Sequence, residues 1–224
     1  MSDFTYAHGR CPIERPPAPL SWVKTEYGKP AVPMNWHHVI PYSTLRDCWN
    51  VLARHQRDVP KAKVALHIYM RILGFEHEDA KRLMQAMADG GLAVQAQERI
   101  EVAVAYPKWD IVEGPKKRTD DPGDRFDEYS VGLSTSEWLR KRRLKPLCEA
   151  LTVFNEATAG QERVAGEVFN AVANQLTLVE RTLQGCKRLI GFRESMWEMV
   201  EPPGQPKSVP AAAQWRKRRV AKAG

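Results

Sequence analysis

Val164, Val168, Val172, Leu176, Val179, Leu183, Cys186 and Ile190 recur at steps of three and four residues. That period puts all eight on one face of a helix, and a face this long must be covered. The stripe predicts a helix from about 161 to 200, with Gly185 and Gly191 as places where it can break. Its cover is either the protein's own core, as in a helical hairpin, or a second copy in a coiled coil.

The same period, with start and stop signals, organises much of the chain before it. Ser43 or Thr44 can cap a helix over TLRDCWNVLARHQR, and Pro60 opens KAKVALHIYMRIL from its first position. Gly74 ends that second helix. HEDAKRLMQAMADGG reads as a third helix, stopped by Gly90 and Gly91, and VQAQERIEVAVAY as a fourth. A further helix, capped by Ser134 or Ser136, runs through EWLRKRRLKPLCEALTVF, with Pro146 expected to kink it.

Three stretches do not fit this pattern. Residues 1–34 hold Pro12, Pro16, Pro17, Pro19, Pro30 and Pro33 and read as irregular chain. The part nearest the histidines, AVPMNWHHVIP, has room for one short strand or hairpin arm, bracketed by Pro33 and Pro41. Residues 107–134 are polar and rich in Gly and Pro, long for a connection, and such segments are commonly functional or disordered. The tail 201–224 is Pro-rich, then basic, and its composition predicts disorder.

With 43% hydrophobic residues the 224-residue chain can bury a core. A net charge of +7 points to an anionic partner, nucleic acid first and an acidic protein or membrane surface second. Cys11, Cys48, Cys148 and Cys186 form no CxxC pair and no disulfide framework, which fits a reducing compartment. No window approaches the roughly 20 apolar residues of a membrane span, and the first residues do not read as a signal peptide.

His37 and His38 stand side by side where the predicted strand gives way to a helix. Cutting a phosphodiester needs a base to activate water and charge to stabilise the crowded phosphorus, and neutral imidazole serves as base or as metal ligand. An ideal strand would send the two rings to opposite sides. At a strand end beside Pro41 that alternation can relax, so that both line one cleft. The DDPGD stretch is either a solvated turn or a loop whose carboxylates suit a hard cation.

His37-His38-Val39-Ile40-Pro41 resembles the start of the HNH, or ββα-metal, endonuclease motif. The variant is the double-histidine, endonuclease VII-like one of bacterial toxin nucleases. Trp36 before the pair and Trp49-Asn50 in the following helix extend the likeness. Trp109-Asp110-Ile111-Val112-Glu113-Gly114-Pro115 resembles the family's asparagine-containing segment, with Asp110 where asparagine is expected. The family's helical metal-binding histidine is not evident at the usual spacing. Asp110, Asp121, Asp124, His55 and His67 are the candidates to replace it. Each helical histidine also has a packing or surface reading, while His77 reads as solvent-facing and His8 has no visible partner.

The resemblance implies a mainly α (α+β) protein. A small ββα-metal-like core at 35–134 would carry a helical insertion over about 51–105 and be followed by a helical region at 135–200. It implies His38 as general base and His37 as ligand to a divalent ion (Mg²⁺, Zn²⁺, Mn²⁺ or Ni²⁺), with Asp110, Asp121 and Asp124 as further ligands. Arg118 would stabilise transition-state charge, and Arg140, Lys141, Arg142 and Arg143 would contact nucleic acid. Trp36, Asn50 and Trp109 would support the site. The implied activity is a DNase acting as an antibacterial toxin. It would be made in the bacterial cytoplasm, carried without a signal peptide by a type VI-like secretion system or chaperone into a target cell, and restrained by an immunity protein. An HNH-like RNase and a non-enzymatic helical binding or adaptor protein are the alternatives.

Overall fold

The computed structural model describes residues 22–24, 31–107, 109–116, 123–127, 140–185 and 198–200. Their architecture is mainly helical. Strands β1 (Trp22–Lys24) and β2 (Val32–His38) precede helices α1 (Tyr42–His55), α2 (Pro60–Ile72), α3 (His77–Asp89) and α4 (Val94–Ala105). Strand β3 (Ile111–Pro115), helices α5 (Lys145–Thr158) and α6 (Gly166–Gly185), and strand β4 (Glu198–Val200) follow. The strands make one antiparallel sheet in the order β3-β2-β1-β4.

Pro60 begins α2 at its first turn, where a missing N–H costs nothing. Gly74 at φ 97° and Gly90 at φ 70° end α2 and α3 in backbone conformations that residues with a Cβ rarely adopt. Helix α1 departs from expectation at its start. Pro41, extended at φ −52° and ψ 135°, occupies the cap position without a side-chain cap bond, so Ser43 and Thr44 fall inside the first turn. The Pro41 carbonyl accepts the first helical bond from the Leu45 N–H at 3.2 Å. Helix α1 also runs unbroken across position 51, where the sequence placed the start of an insertion.

Pro146 disturbs its helix by widening it. Residues Arg140–Leu144 form a π-helical turn that leads directly into α5. A proline ring clashes with the carbonyl four residues earlier, and the wider turn relieves that crowding. The expected caps Ser134 and Ser136 lie outside the described residues.

The core lies among the helices. Leu45, Cys48, Trp49 and Leu52 of α1 meet Leu66, Tyr69 and Met70 of α2 and Leu147, Leu151 and Phe154 of α5. Much of the stripe is absorbed within this fold: Val172, Leu176 and Val179 of α6 are buried, with Phe169 beside them, chiefly against α2 and α5, and Val164, Val168 and Leu183 are partly buried against the same core. Phe154 and Phe169 meet edge-on with ring centroids 5.4 Å apart, and Trp49 and Tyr69 do so at 5.8 Å. Each such side chain contributes roughly 1.5–3 kcal/mol by leaving water. Cys186 and Ile190 lie outside the described residues.

The sheet contains three strands that hydrophobic patterning does not reveal. Strand β1 falls in the segment read as irregular, β3 in the polar stretch read as a functional or disordered connection, and β4 where the long helix was expected to continue; α6 instead ends at Gly185. Pro33 sits inside β2 rather than bracketing it. It lacks an N–H, but its carbonyl accepts from the Lys116 N–H at 2.8 Å, so the strand passes through it.

Candidate active site

Strand β2 pairs with β3 from Met34↔Pro115 to His38↔Ile111. The ladder continues one residue further, where the Val39 N–H donates to the Asp110 carbonyl at 3.0 Å. The next N–H, that of Ile40, donates to Asp110 Oδ1 at 2.7 Å. The other carboxylate oxygen, Oδ2, lies 2.9 Å from His38 Nδ1. Asp110 thus ties together three consecutive residues of the HHVIP segment from 70 to 72 positions away.

Asp110 is completely buried. Burial pushes its pKa above the ordinary carboxylate value, and the bonds from His38, Ile40 and Val39 oppose that rise. When Asp110 is ionised it only accepts, so His38 carries its proton on Nδ1 and presents the Nε2 lone pair. The His38 side chain keeps 23% of its surface exposed. A partly accessible imidazole oriented by a buried carboxylate is a competent general base.

Two tyrosine rings flank this imidazole. Tyr42, the first residue of α1, lies 5.9 Å away between centroids; Tyr106, after α4, lies 6.4 Å away at an interplanar angle of 25°. One turn along α1, the Arg46 guanidinium stands 5.8 Å over the Tyr42 ring. Bonds from neighbouring helices fix the first turns of α1. Tyr69 Oη donates to the Leu45 carbonyl at 3.1 Å, and Asn155 Nδ2 donates to the Thr44 carbonyl at 3.0 Å. From the other side, the Asp127 N–H donates to the Val39 carbonyl at 2.9 Å and brings a buried carboxylate beside the segment.

The expected site residues are only partly gathered here. Pairing continues through His38, which preserves the two-residue alternation and sends His37 to the opposite face of the sheet. The expected relaxation at the strand end is not observed, because the ladder runs on into Val39. Trp36 shares the His38 face by the same alternation, and Asn50 follows Tyr42 and Arg46 at helical spacing; both are partly buried. Trp109 is buried, with an indole N–H that has no hydrogen-bond partner among the described residues. Asp124 is exposed next to Gly123, whose φ of 65° marks a turn.

Arg118 and Asp121 lie outside the described residues, as do the side chains of Arg140 and Lys141 in the π turn. Arg142 is exposed. Arg143 reaches across to α6, where its Nε donates to Thr182 Oγ1 at 3.1 Å. His55 is buried at the end of α1 against Phe169, and burial lowers its pKa. His67 packs edge-on against His77 at 4.7 Å, and burial lowers its pKa too. These are the surroundings of neutral packing histidines.

Among the described residues no three His, Cys, Asp or Glu side chains converge as a metal site requires. Both oxygens of Asp110 are engaged by protein donors, and His37 lies across the sheet from His38. Of the other implied ligands, Asp124 is exposed and Asp121 lies outside the described residues.

Sequence reasoning missed Tyr42, Arg46, Tyr106 and Asp127. The first two carried a legible signal: they follow HHVIP directly at a four-residue helical step. Tyr106 and Asp127 reach the site only through the tertiary fold.

Comparison with protein-family models, with curated proteins and with solved structures finds no match.

Proposed function

We propose that the chain is a phosphodiester-cleaving nuclease, a DNase in the first instance, with His38 as its general base. The observation that carries this reading is the bond between His38 Nδ1 and the buried Asp110 carboxylate. In this reading His38 Nε2 takes a proton from water as the water oxygen attacks phosphorus. The P–O bond to the leaving oxygen breaks, and a proton from solvent completes the new hydroxyl. Asp110 holds the imidazole tautomer and stabilises the imidazolium formed.

The small ββα core belongs to the same proposal, supported by the β2/β3 ladder with the double histidine at its end. A divalent cation enters through the resemblance alone. So do delivery as an antibacterial effector, the secretion carrier and the immunity partner. No described helix is long and apolar enough to cross a membrane.

The test is a cleavage assay on plasmid DNA and on structured RNA, with Mg²⁺, Mn²⁺, Zn²⁺ or Ni²⁺ and with EDTA. The expected result is nicking of DNA by the wild type and none by a folded His38→Ala variant. Cleavage of RNA alone would reassign the substrate. EDTA-insensitive cleavage would remove the cation. Absence of cleavage of either polymer would favour the helical binding-protein alternative.

A further inference from the structure

We propose that Arg46 is the phosphate-binding clamp of the His38 site, gripping the nonbridging oxygens of the nucleic-acid strand on which His38 acts. The inference rests on the nuclease reading above and names the group that would hold its substrate.

Position is the first argument. Tyr42 and Arg46 are four residues apart on α1, which begins directly after the HHVIP segment. The Tyr42 ring touches the environment of both groups, with His38 5.9 Å from it and the Arg46 guanidinium 5.8 Å from it. The guanidinium and the imidazole are therefore no further apart than those two distances placed end to end, a few nucleotide steps along a strand.

Orientation is the second. The Arg46 Nε and Nη2 both approach Asp47 Oδ1, at 2.7 and 2.6 Å. The guanidinium is thus held over the tyrosine ring on one side and by a carboxylate on another. A guanidinium so restrained loses less freedom when it grips a phosphate, and its planar fork matches phosphate oxygens. The Arg46 side chain keeps 17% of its surface and Asp47 keeps 45%, so both lie at the boundary with solvent. Asp47 offsets part of the positive charge, which sets the direction of one variant below. The rest of the chain supports an anionic ligand through its net charge of +7.

The test reads binding and is independent of turnover. Anisotropy of a short labelled DNA duplex is measured without added metal, in a His38→Ala background, across a salt series. Arg46→Gln is expected to weaken binding about tenfold, as loss of a charge-assisted bond would. It should also lower the salt slope by about one. Arg82→Gln, on the exposed face of α3, is the control for net charge. Asp47→Asn keeps an acceptor oxygen for the guanidinium, removes the offsetting negative charge and is expected to tighten binding severalfold; because the Asp47 side chain is half exposed, this variant does not depend on Arg46 being dispensable for folding.

An Arg46→Gln effect no larger than that of Arg82→Gln overturns the proposal. So does unchanged or weaker binding by Asp47→Asn, and so does absence of DNA binding by the parent. The two readings fail separately. Arg46-dependent binding without wild-type cleavage would retain the clamp and remove the nuclease, whereas cleavage with Arg46-independent binding would do the reverse.

Discussion

Replacing Asp110 by Ala and by Asn separates its two tasks. Alanine strips the buried Ile40 N–H of its acceptor and leaves the inner edge of His38 without a partner. Each donor left without its charged acceptor costs about 1–3 kcal/mol. The low end applies to His38, which is partly exposed, so the two together cost about 3 kcal/mol. Asparagine keeps an oxygen for Ile40 and removes a charge whose burial is unfavourable, since Asp110 is raised above the ordinary carboxylate value by desolvation. Its stability cost is expected to stay within about 1 kcal/mol. In urea melts with m of about 3 kcal/mol/M, Ala should lower the midpoint by on the order of 1 M and Asn by a third of that or less. In the cleavage assay Asn should fare as badly as Ala. Its amide would donate to His38 Nδ1 and move the proton to Nε2, removing the base, a change that costs roughly 10⁴-fold in comparable His–Asp pairs. Equal destabilisation by Asn and Ala would refute the anchoring argument, and near-normal cleavage by Asp110→Asn would refute the orienting one.

Phe169→Ala should cost about 3–5 kcal/mol, because Phe169 is fully buried against Phe154 and His55; a calorimetric Tm drop of only a degree or two would contradict that packing. His55 and His67 have pKa values lowered from 6.5 by burial, so the folded state binds fewer protons than the unfolded one below that pH. Stability is then full above about pH 6.5 and is lost as pH falls toward the depressed values; His67→Gln should flatten the acid limb of denaturant midpoint against pH. Gly74→Ala places a Cβ at φ 97° and should destabilise by about 1–2 kcal/mol, read by thermal melting.

The helical part of this fold was legible because its signals are local. Pro60, Gly74 and Gly90 punctuate the helices where steric rules require, and the Val172–Leu176–Val179 stripe names its own buried face. Strands β1, β3 and β4 were not legible. The three residues of β1 and of β4 carry too little periodicity, and their pairing joins Trp22 to Val200 across most of the sequence; β3 lies in a polar stretch whose Gly and Pro read as a connection. At the site, His38 was singled out by its own neighbourhood. The use of Asp110 as its partner, and not as an open ligand, depends on the β2/β3 register and on burial, neither of which a motif encodes. The expected cleft shared by His37 and His38 failed for the same reason: a ladder that persists through His38 keeps the strand's alternation.

Between His38 and Asp110 the chain travels through all four of the first helices. Were those 72 positions a flexible loop, bringing the two residues together would cost about 4 kcal/mol in closure entropy alone. The packed helices remove that cost by holding the loop's ends in place. The imidazole and its carboxylate are therefore a readout of helical integrity far from either of them. A chain still being synthesised, cut between α2 and α3, or locally melted there would carry both residues and yet lack the pair.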